Sequence, residues 1–200
     1  MSKDYLALPL AEFIADTALK SPTPGGGSVA AVVGAMAAAL GHMALAYTAE
    51  KPAYAAHAER LRRALAELQR SSGDFMRLMQ EDMAAYEEYA AARKSGDADR
   101  QRVALDRATA VPLEMIALAD AVGANLDEVK ACTNPQLFSD LQAAAILIAA
   151  AARAAATSAV VNLKTLPDRK EAERLDDRLG LMLARLSRHC DAVTHYQAAP

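Results

Sequence analysis

The stretch Ser21-Pro22-Thr23-Pro24-Gly25-Gly26-Gly27-Ser28 is followed directly by the alanine-rich apolar run VAAVVGAMAAALGHMALA at residues 29–46. The two prolines end any preceding helix, and the glycines free the backbone before Ser28, a residue type that caps helices. We therefore expect a long helix to begin at Ser28. Its first N–H groups have no partner within the helix and suit an anionic or polar ligand. A tight turn where backbones cross explains the same residues without a ligand.

Composition favours a single all-α domain, which we place at residues 1–200. Of the 200 residues, 53% are hydrophobic, 24% are charged and only 4% are aromatic. A chain of this length can bury a sizeable core. Alanine dominates, and it favours helices over strands. The net charge of −3 gives no electrostatic attraction for nucleic acid, so we expect no nucleic-acid partner.

Two apolar runs, 29–46 and 141–161, approach the length of a membrane span. Both consist mainly of alanine, which is only weakly lipophilic, and both lack aromatic residues at their ends. We interpret them as central helices of a soluble bundle, with no membrane role. Cys132 and Cys190 form no metal-ligand pattern and are read as reduced thiols. With no apolar signal segment at Met1, these features predict a cytoplasmic protein.

Prolines and glycines divide the chain into helical segments, with no strand candidate and no interdomain linker. Pro52 suits the first turn of a helix, and Pro112 is expected to bend one. The predicted helices are approximately 10–19, 28–50, 52–94, 99–122, 139–166 and 168–196, with a helical turn at 127–131. This order predicts an up-and-down helical bundle with long helices.

The third predicted helix carries a heptad stripe, which predicts one face packed on a partner helix. Its members are Leu61, Leu65, Leu68, Ser72, Phe75, Met79, Asp82 and Tyr86. A lone carboxylate is costly to bury unless it is paired or functional, so Asp82 is a candidate functional residue. The stripe can also continue through Met83, which would place Asp82 beside the seam.

Small residues line two nearly all-apolar helices, the second and the fifth, and allow close helix packing. They are Ala30, Gly34, Ala38 and Gly41 on the second, and Ala144, Ala151, Ala155 and Ala159 on the fifth. Such helices need apolar neighbours on every side, and one 200-residue protomer has few helices to supply them. We therefore expect a homodimer with two-fold symmetry.

A second polar segment precedes the fifth helix. Ser139 and Gln142 have the spacing of a capping box, and Asp140 in the first turn complements the helix dipole. Asn134 fits a turn. Asn162 lies 22 residues beyond Asp140, about 33 Å along a straight helix, so the two cannot touch one reacting atom within a protomer. They can contact different parts of an extended ligand, or belong to different sites of an antiparallel dimer.

Other site types lack their signatures. The histidines are scattered without metal-binding spacing, so we expect no metal. The glycine segment lacks the lysine of a phosphate-binding loop and no strand precedes it, which disfavours ATP and NAD. Lys51 and Lys164 are typical surface lysines that can also contact a ligand.

The ordered motifs together resemble one known family. They are the segment 22–28, Asp82, Val111-Pro112-Leu113, Asn134, Ser139-Asp140 and Val161-Asn162-Leu163-Lys164. This set, spread over nearly the whole chain, resembles the cyclodeaminase/cyclohydrolase family. Its members are the C-terminal domain of formiminotransferase-cyclodeaminase and the bacterial methenyltetrahydrofolate cyclohydrolases.

The resemblance implies an all-helical homodimer that acts on tetrahydrofolate derivatives without metal or a permanently bound cofactor. It implies that the glycine loop, Pro24 to Ser28, and Asp140 line the pterin site, with Asp82 as a second acidic candidate. Lys51 and Tyr54 fall where the family has a Lys/Tyr-containing turn.

The implied reactions close or open a C–N bond at the methenyl carbon, and a positioned carboxylate can move the proton that each requires. Asp140 is the first candidate for this role and Asp82 the second. Asn134, Ser139 and Asn162 are expected to contact substrate, and Lys51 or Lys164 to hold its glutamate carboxylates. The competing hypothesis is a non-catalytic helical dimer that binds folate or another small ligand, or serves as a scaffold.

Overall fold

A computed structural model describes residues 3–197, and every regular element in that range is helical. The α-helices are α1 (Leu10–Thr17), α2 (Gly26–Ala49), α3 (Ala58–Ser95), α4 (Ala98–Val129), α5 (Phe138–Thr165) and α6 (Arg169–Thr194). Short 3-10 turns at Pro52–His57, Lys130–Cys132 and Pro135–Leu137 connect them. The all-α prediction is confirmed.

The four long helices α2 to α5 pack in chain order around one core. α2 contacts α3 and α5, α4 contacts the same two helices, and α6 packs across α4 and α5. Short connections make consecutive helices run in opposite directions, so the bundle is up-and-down. The core consists of fully buried side chains including Leu45, Leu68, Phe75, Met79, Met115, Ile116, Leu126, Leu141 and Ile148.

The glycine segment starts α2 earlier than the sequence analysis predicts. Gly25 is the N-cap, and its carbonyl oxygen accepts from the Val29 N–H at 3.0 Å. Ser28 is the third helical residue, and its Oγ accepts from the Gly25 N–H at 3.0 Å. The prediction that α2 begins at Ser28 is therefore wrong. Ser28 is the third residue of a capping box, and its hydroxyl oxygen accepts the hydrogen bond of the N-cap N–H.

The capping box predicted at Ser139 and Gln142 is also wrong. α5 begins one residue earlier, at the buried Phe138, and Ser139 makes no cap hydrogen bond. The Gln142 amide instead donates to the Thr194 carbonyl at 2.9 Å and ties α5 to α6. Asn134 is the residue that caps, because its Oδ1 accepts from the Gln136 N–H at 3.2 Å at the preceding 3-10 turn.

Two other predicted boundaries differ. α3 begins at Ala58, because Pro52–His57 forms a separate 3-10 turn. α4 continues through Pro112 and seven residues past the predicted end at Val122, to Val129. This last part stays helical because Leu126 and Val129 are buried and face the core.

The heptad stripe of α3 packs as predicted from Leu61 to Met79, with Phe75 packed closely on α2, whereas Tyr86 is 47% exposed. A Cβ added at Gly34 would lie 2.6 Å from the Phe75 ring, so only glycine fits there. Met83 is 1% exposed whereas Asp82 is only half-buried. The core seam therefore runs through Met83, and Asp82 lies beside it.

Unequal helix lengths open one end of the bundle. α2 begins at Gly26, where it contacts α3 at Asp82, but α3 continues to Ser95, about 20 Å further. α4 and α5 extend in the same direction, with their own small core of Leu105, Leu163, Leu166 and Ala172. Beyond Gly26 the bundle therefore lacks its fourth helix, and a cleft remains in its place.

Three helical stretches, Gly26–Ala49, Ala98–Cys132 and Pro135–Thr165, are long and apolar enough to cross a membrane by length and composition. The apolar windows of the first and third are only 56% and 44% buried inside the protein. Both stretches therefore keep a partly exposed apolar side.

Candidate active site

The cleft at the open end of the bundle has a volume of about 860 Å³. The glycine loop and α3, α4 and α5 form its walls. Its lining includes Thr23, Gly25, Gly26, Gly27, Asp82, Tyr86, Tyr89, Arg93, Gln101, Ala108, Thr157, Ser158, Val161 and Asn162. The volume lies within the range of typical small-molecule sites.

The glycines of the loop differ in what surrounds them. A Cβ at Gly27 would lie 2.1 Å from Asp82 Oδ1, whereas a Cβ at Gly26 would meet no atom within 4 Å. Gly27 is therefore required by the close approach of α3, and Gly26 faces open space in the cleft. The sequence left open whether the glycines allow close approach of a ligand or of a neighbouring helix. Gly27 fits the close approach of a helix, and Gly26 fits the approach of a ligand.

The Asp82 carboxyl lies against the N-terminus of α2. Burial raises the pKa of Asp82 above its ordinary value near 3.8, and the Ser28 hydroxyl and backbone N–H partly oppose that rise. The first N–H groups of α2 point toward the same region and favour negative charge there. A carboxyl whose proton affinity is raised in a cleft is suited to proton transfer.

One side of α3 forms the length of the cleft wall. Asp82, Tyr86, Tyr89 and Arg93 follow one another at steps of four, three and four, and all of them line the cleft. The Arg93 guanidinium Cζ lies 6.0 Å from the centroid of the Tyr89 ring. The sequence analysis missed Tyr89 and Arg93 as site residues, although they continue the heptad stripe that it identified.

α5 supplies the opposite wall. Asn162 lines the cleft as a half-buried residue, and its side-chain N–H donates to the Ala108 carbonyl of α4 at 2.8 Å. This bond fixes the amide and leaves its oxygen for other contacts. Thr157, Ser158 and the 63% exposed Val161 lie beside it.

The other predicted site residues lie at the far end of the bundle. Lys51 Nζ donates to Gln136 Oε1 at 3.2 Å, in the turn before α5. Asn134 is buried, and its backbone N–H donates to Thr48 Oγ1 at 3.2 Å. The Asn134 side-chain nitrogen is buried with no hydrogen-bond partner in the described part of the chain. Asp140 is half-buried in the first turn of α5.

The structure thus separates the predicted site residues into two groups. Gly25, Gly26, Gly27, Asp82 and Asn162 line the cleft, with Pro24 and Ser28 buried beside it. The second group, at the far end, comprises Lys51, Asn134, Ser139 and Asp140. Lys164 is exposed in the last turn of α5 and is not part of the cleft lining. Within residues 3–197, no group of three or more His, Cys, Asp or Glu side chains is arranged to hold a metal ion.

The fold and the cleft define an all-helical protein whose candidate small-molecule site contains a carboxyl beside a glycine-capped helix. A family model for formiminotransferase-cyclodeaminase matches residues 9–180, and the chain belongs to that family. It is similar to the crystal structure of formiminotetrahydrofolate cyclodeaminase from Thermotoga maritima, with 29% identity over 94% of each chain and a TM-score of 0.90. Among curated proteins, none matches the chain. The resemblance inferred from the ordered motifs is confirmed.

Proposed function

We propose that this protein is a formiminotetrahydrofolate cyclodeaminase, an enzyme that closes the methenyl bridge of tetrahydrofolate and releases ammonia. The observation that carries the proposal is the Asp82 carboxyl, whose pKa is raised by burial, at the floor of a cleft about 860 Å³ in volume. Membership of the family and the similarity to a cyclodeaminase support the choice of substrate class. The substrate is a tetrahydrofolate derivative, and the proposal includes no permanently bound cofactor.

The reaction requires one proton to move between two nitrogens. N10 of the protonated formimino substrate attacks the formimino carbon, and a tetrahedral carbon forms between N5 and N10. The Asp82 carboxylate takes the proton from N10 and delivers it to the amino group, which leaves as ammonia. The C–N bond to ammonia breaks, the N5–C–N10 methenyl cation forms, and the carboxylate is regenerated. Asp82 also stabilises the cationic carbon electrostatically.

Asp82 replaces Asp140 as our first choice for this proton transfer. Asp82 lines the cleft beside the glycine loop, whereas Asp140 lies at the other end of the same protomer. A general base must come within hydrogen-bond reach of the proton it removes. Among the described residues that line the cleft, Asp82 is the only carboxylic acid, so it alone meets this condition for a substrate bound there.

Methenyltetrahydrofolate cyclohydrolase is the second candidate, because the same carboxyl can take a proton from a water that attacks the methenyl carbon. One pair of assays separates the candidates. Ammonia release from 5-formiminotetrahydrofolate supports the cyclodeaminase. Loss of the methenyl chromophore to 10-formyltetrahydrofolate, without ammonia release from the formimino compound, supports the cyclohydrolase. Folate binding without either reaction supports the non-catalytic ligand-binding dimer and contradicts both.

Variants of the carboxyl test the residue assignment. We expect Asp82→Asn to lower kcat by at least 100-fold with the fold intact, since general acid–base catalysis contributes about 10²–10⁴-fold. Asp74→Asn is the matched control, because Asp74 lies exposed on the same helix outside the cleft. Full turnover by Asp82→Asn would contradict the assignment of Asp82.

We also propose that the active enzyme is a cytoplasmic homodimer. α2 and α5 lie side by side, and each turns apolar side chains outward. The outward residues include Val33, Met36, Met43 and Tyr47 on α2, and Ile146, Ala150, Ala154 and Val161 on α5. Met36, Tyr47, Ile146 and Val161 are 45% to 63% exposed in the protomer. An apolar surface of this kind marks an interaction site.

A two-fold pairing of this surface would bring the two groups of site residues together. With the axis through the middle of α5, position 140 of one protomer would lie level with position 163 of the other, beside Asn162. The partner's Asp140 would then lie at the edge of the cleft that contains Val161. The dimer thus accounts for site residues at both ends of one bundle.

Mass measurements and mixing test the dimer. The wild type should sediment at twice the protomer mass of 21.2 kDa, and Ile146→Asp as a monomer. Leu181→Asp, at a 73% exposed position on α6, should remain dimeric. Because the partner's Asp140 would complete the cleft in the dimer, we expect Asp140→Asn to be inactive too. Mixing it with inactive Asp82→Asn should restore about a quarter of wild-type activity, since half the dimers are hybrids and each hybrid has one intact site. A monomeric wild type, or binding to lipid vesicles in its place, would contradict this proposal.

A further inference from the structure

The cleft wall on α3 carries one charge at each end. Among the described lining residues, Asp82 is the only acidic one and Arg93 the only basic one. Between them on the same side of the helix lie Tyr86 and Tyr89. The wall therefore runs from a carboxyl, past two aromatic rings, to a guanidinium.

The distance between the two charges is set by the helix. Arg93 lies eleven residues after Asp82, about 16 Å along the axis. Side chains on a helix point back toward its N-terminus, and the guanidinium is drawn to Tyr89, 6.0 Å from the ring centroid. The guanidinium thus lies between the levels of Tyr89 and Arg93, seven to eleven residues from Asp82, so the two charges are separated by about 10–16 Å along the wall.

We propose that Arg93 and Tyr89 bind the carboxylate end of the substrate and so determine specificity for its glutamate. This inference rests on the proposed function. A methenyl or protonated formimino substrate is cationic at its reacting carbon and anionic at its glutamate. The aminobenzoyl-glutamate arm that joins them has the length of roughly three extended residues, about 10 Å. The substrate thus matches the wall in the sign of both ends, and its length falls at the short end of the range that the wall allows.

The tyrosines complete this binding mode. The aminobenzoyl ring of the substrate lies along Tyr86 and Tyr89, where aromatic rings pack favourably. The Tyr89 ring holds the guanidinium by a cation–π contact, so its planar donors face the carboxylate with little loss of entropy. Arg93 is exposed, and none of the described acidic residues forms an ion pair with it, so its donors are available to a ligand.

The two lysines expected to hold the glutamate are less suited to this position. Lys51 donates a hydrogen bond to Gln136 at the far end of the bundle, and Lys164 is not part of the cleft lining. Arg93 also offers two parallel donors that match a carboxylate, which a lysine does not. We therefore assign the glutamate contact to Arg93 in place of Lys51 and Lys164.

The test compares two substrates in four proteins. Wild type, Arg93→Gln, Arg93→Lys and Arg70→Gln are assayed with the monoglutamate substrate and with its tetrahydropteroate counterpart, which lacks glutamate. Arg70 is the control because it is exposed on the same helix and is not part of the cleft lining. We expect Arg93→Gln to raise KM for the glutamate substrate about 10- to 100-fold, the range of one charge-assisted contact, with kcat nearly unchanged. KM for the pteroate substrate should not change, and Arg93→Lys should recover part of the loss.

The outcomes separate this inference from the proposed function. An equal rise in KM for both substrates would indicate a structural role and overturn the inference, as would an unchanged KM for the glutamate substrate. A shift of the same size in Arg70→Gln would also overturn it. Absence of folate turnover and folate binding in the wild type would instead overturn the proposed function itself.

Discussion

Replacing Gly27 with alanine tests whether the glycine loop positions the Asp82 carboxyl. The added Cβ would lie 2.1 Å from Oδ1 and 2.6 Å from the carboxyl carbon. A carbon–oxygen contact requires about 3.3 Å, so the carboxyl must move by about 1 Å. Because the overlapping atoms are the end of a side chain, α3 need not move with them.

The expected loss is in catalysis rather than in folding. A misplacement of about 1 Å at a catalytic group costs about 100-fold in rate. Overpacking costs about 1–3 kcal/mol, which the better helix propensity of alanine offsets by up to about 1 kcal/mol. Gly27→Ala should therefore lose about 100-fold in kcat while its free energy of unfolding falls by no more than about 2 kcal/mol.

Steady-state kinetics and urea unfolding measure the two effects separately. Gly73→Ala is the control, since a Cβ there meets no atom within 4 Å and the site is exposed on α3. The double variant Gly27→Ala/Asp82→Ala removes the overlapping carboxyl, so its stability should recover and the two substitutions should be non-additive. Wild-type turnover by Gly27→Ala, or additive stability losses in the double variant, would refute the close approach of Asp82 to α2.

Three further substitutions test the packing and the electrostatics. Gly34→Ala should lower the free energy of unfolding by about 1–3 kcal/mol, because its Cβ meets the Phe75 ring at 2.6 Å. Gly180→Ala, where no atom lies within 4 Å, should not lower it in the same urea titration. Asp82→Asn should raise the melting temperature at pH 8. Burial raises the pKa of Asp82 in the folded wild type, so the stability that the protonated carboxyl contributes is fully present below pH 3.8. This contribution is lost as pH rises through the raised pKa. The difference in melting temperature between Asp82→Asn and wild type should therefore narrow on acidification. Thr48→Val should cost about 1–3 kcal/mol in urea unfolding, because it removes the acceptor of the buried Asn134 N–H.

The sequence predicted those features of the fold that depend on local pattern. Six helices and their order followed from proline and glycine positions, and the α3 seam followed from the heptad spacing of Leu61 to Met79. The failed boundaries depend on tertiary burial. The pattern of Ser139 and Gln142 matches a capping box, but burial of Phe138 starts the helix one residue earlier.

The candidate site was only partly predictable, because its shape depends on where neighbouring helices end. Asp82 stood out as a carboxylate on an apolar stripe, and the glycine loop stood out by composition. Arg93 did not stand out, because an arginine near a helix end is common. It becomes a candidate only in the structure, where α2 is absent at its level and the side chain lies in the cleft wall. Which residues share one end of the bundle depends on helix lengths and packing, and these are set by the whole fold.

The position of the glycine loop links the fold to the proposed chemistry. Gly25 and Gly26 form the N-terminus of α2 at the level of Asp82. Beyond them no α2 residues fill the bundle, and this leaves the space in which a substrate can bind. Gly27 lets the same helix end approach the carboxyl, so that Ser28 and the helix dipole counter part of the effect of burial. Burial thus raises the pKa of Asp82 while the Ser28 donors oppose the rise, and a carboxyl in this setting is suited to accept a proton and return it.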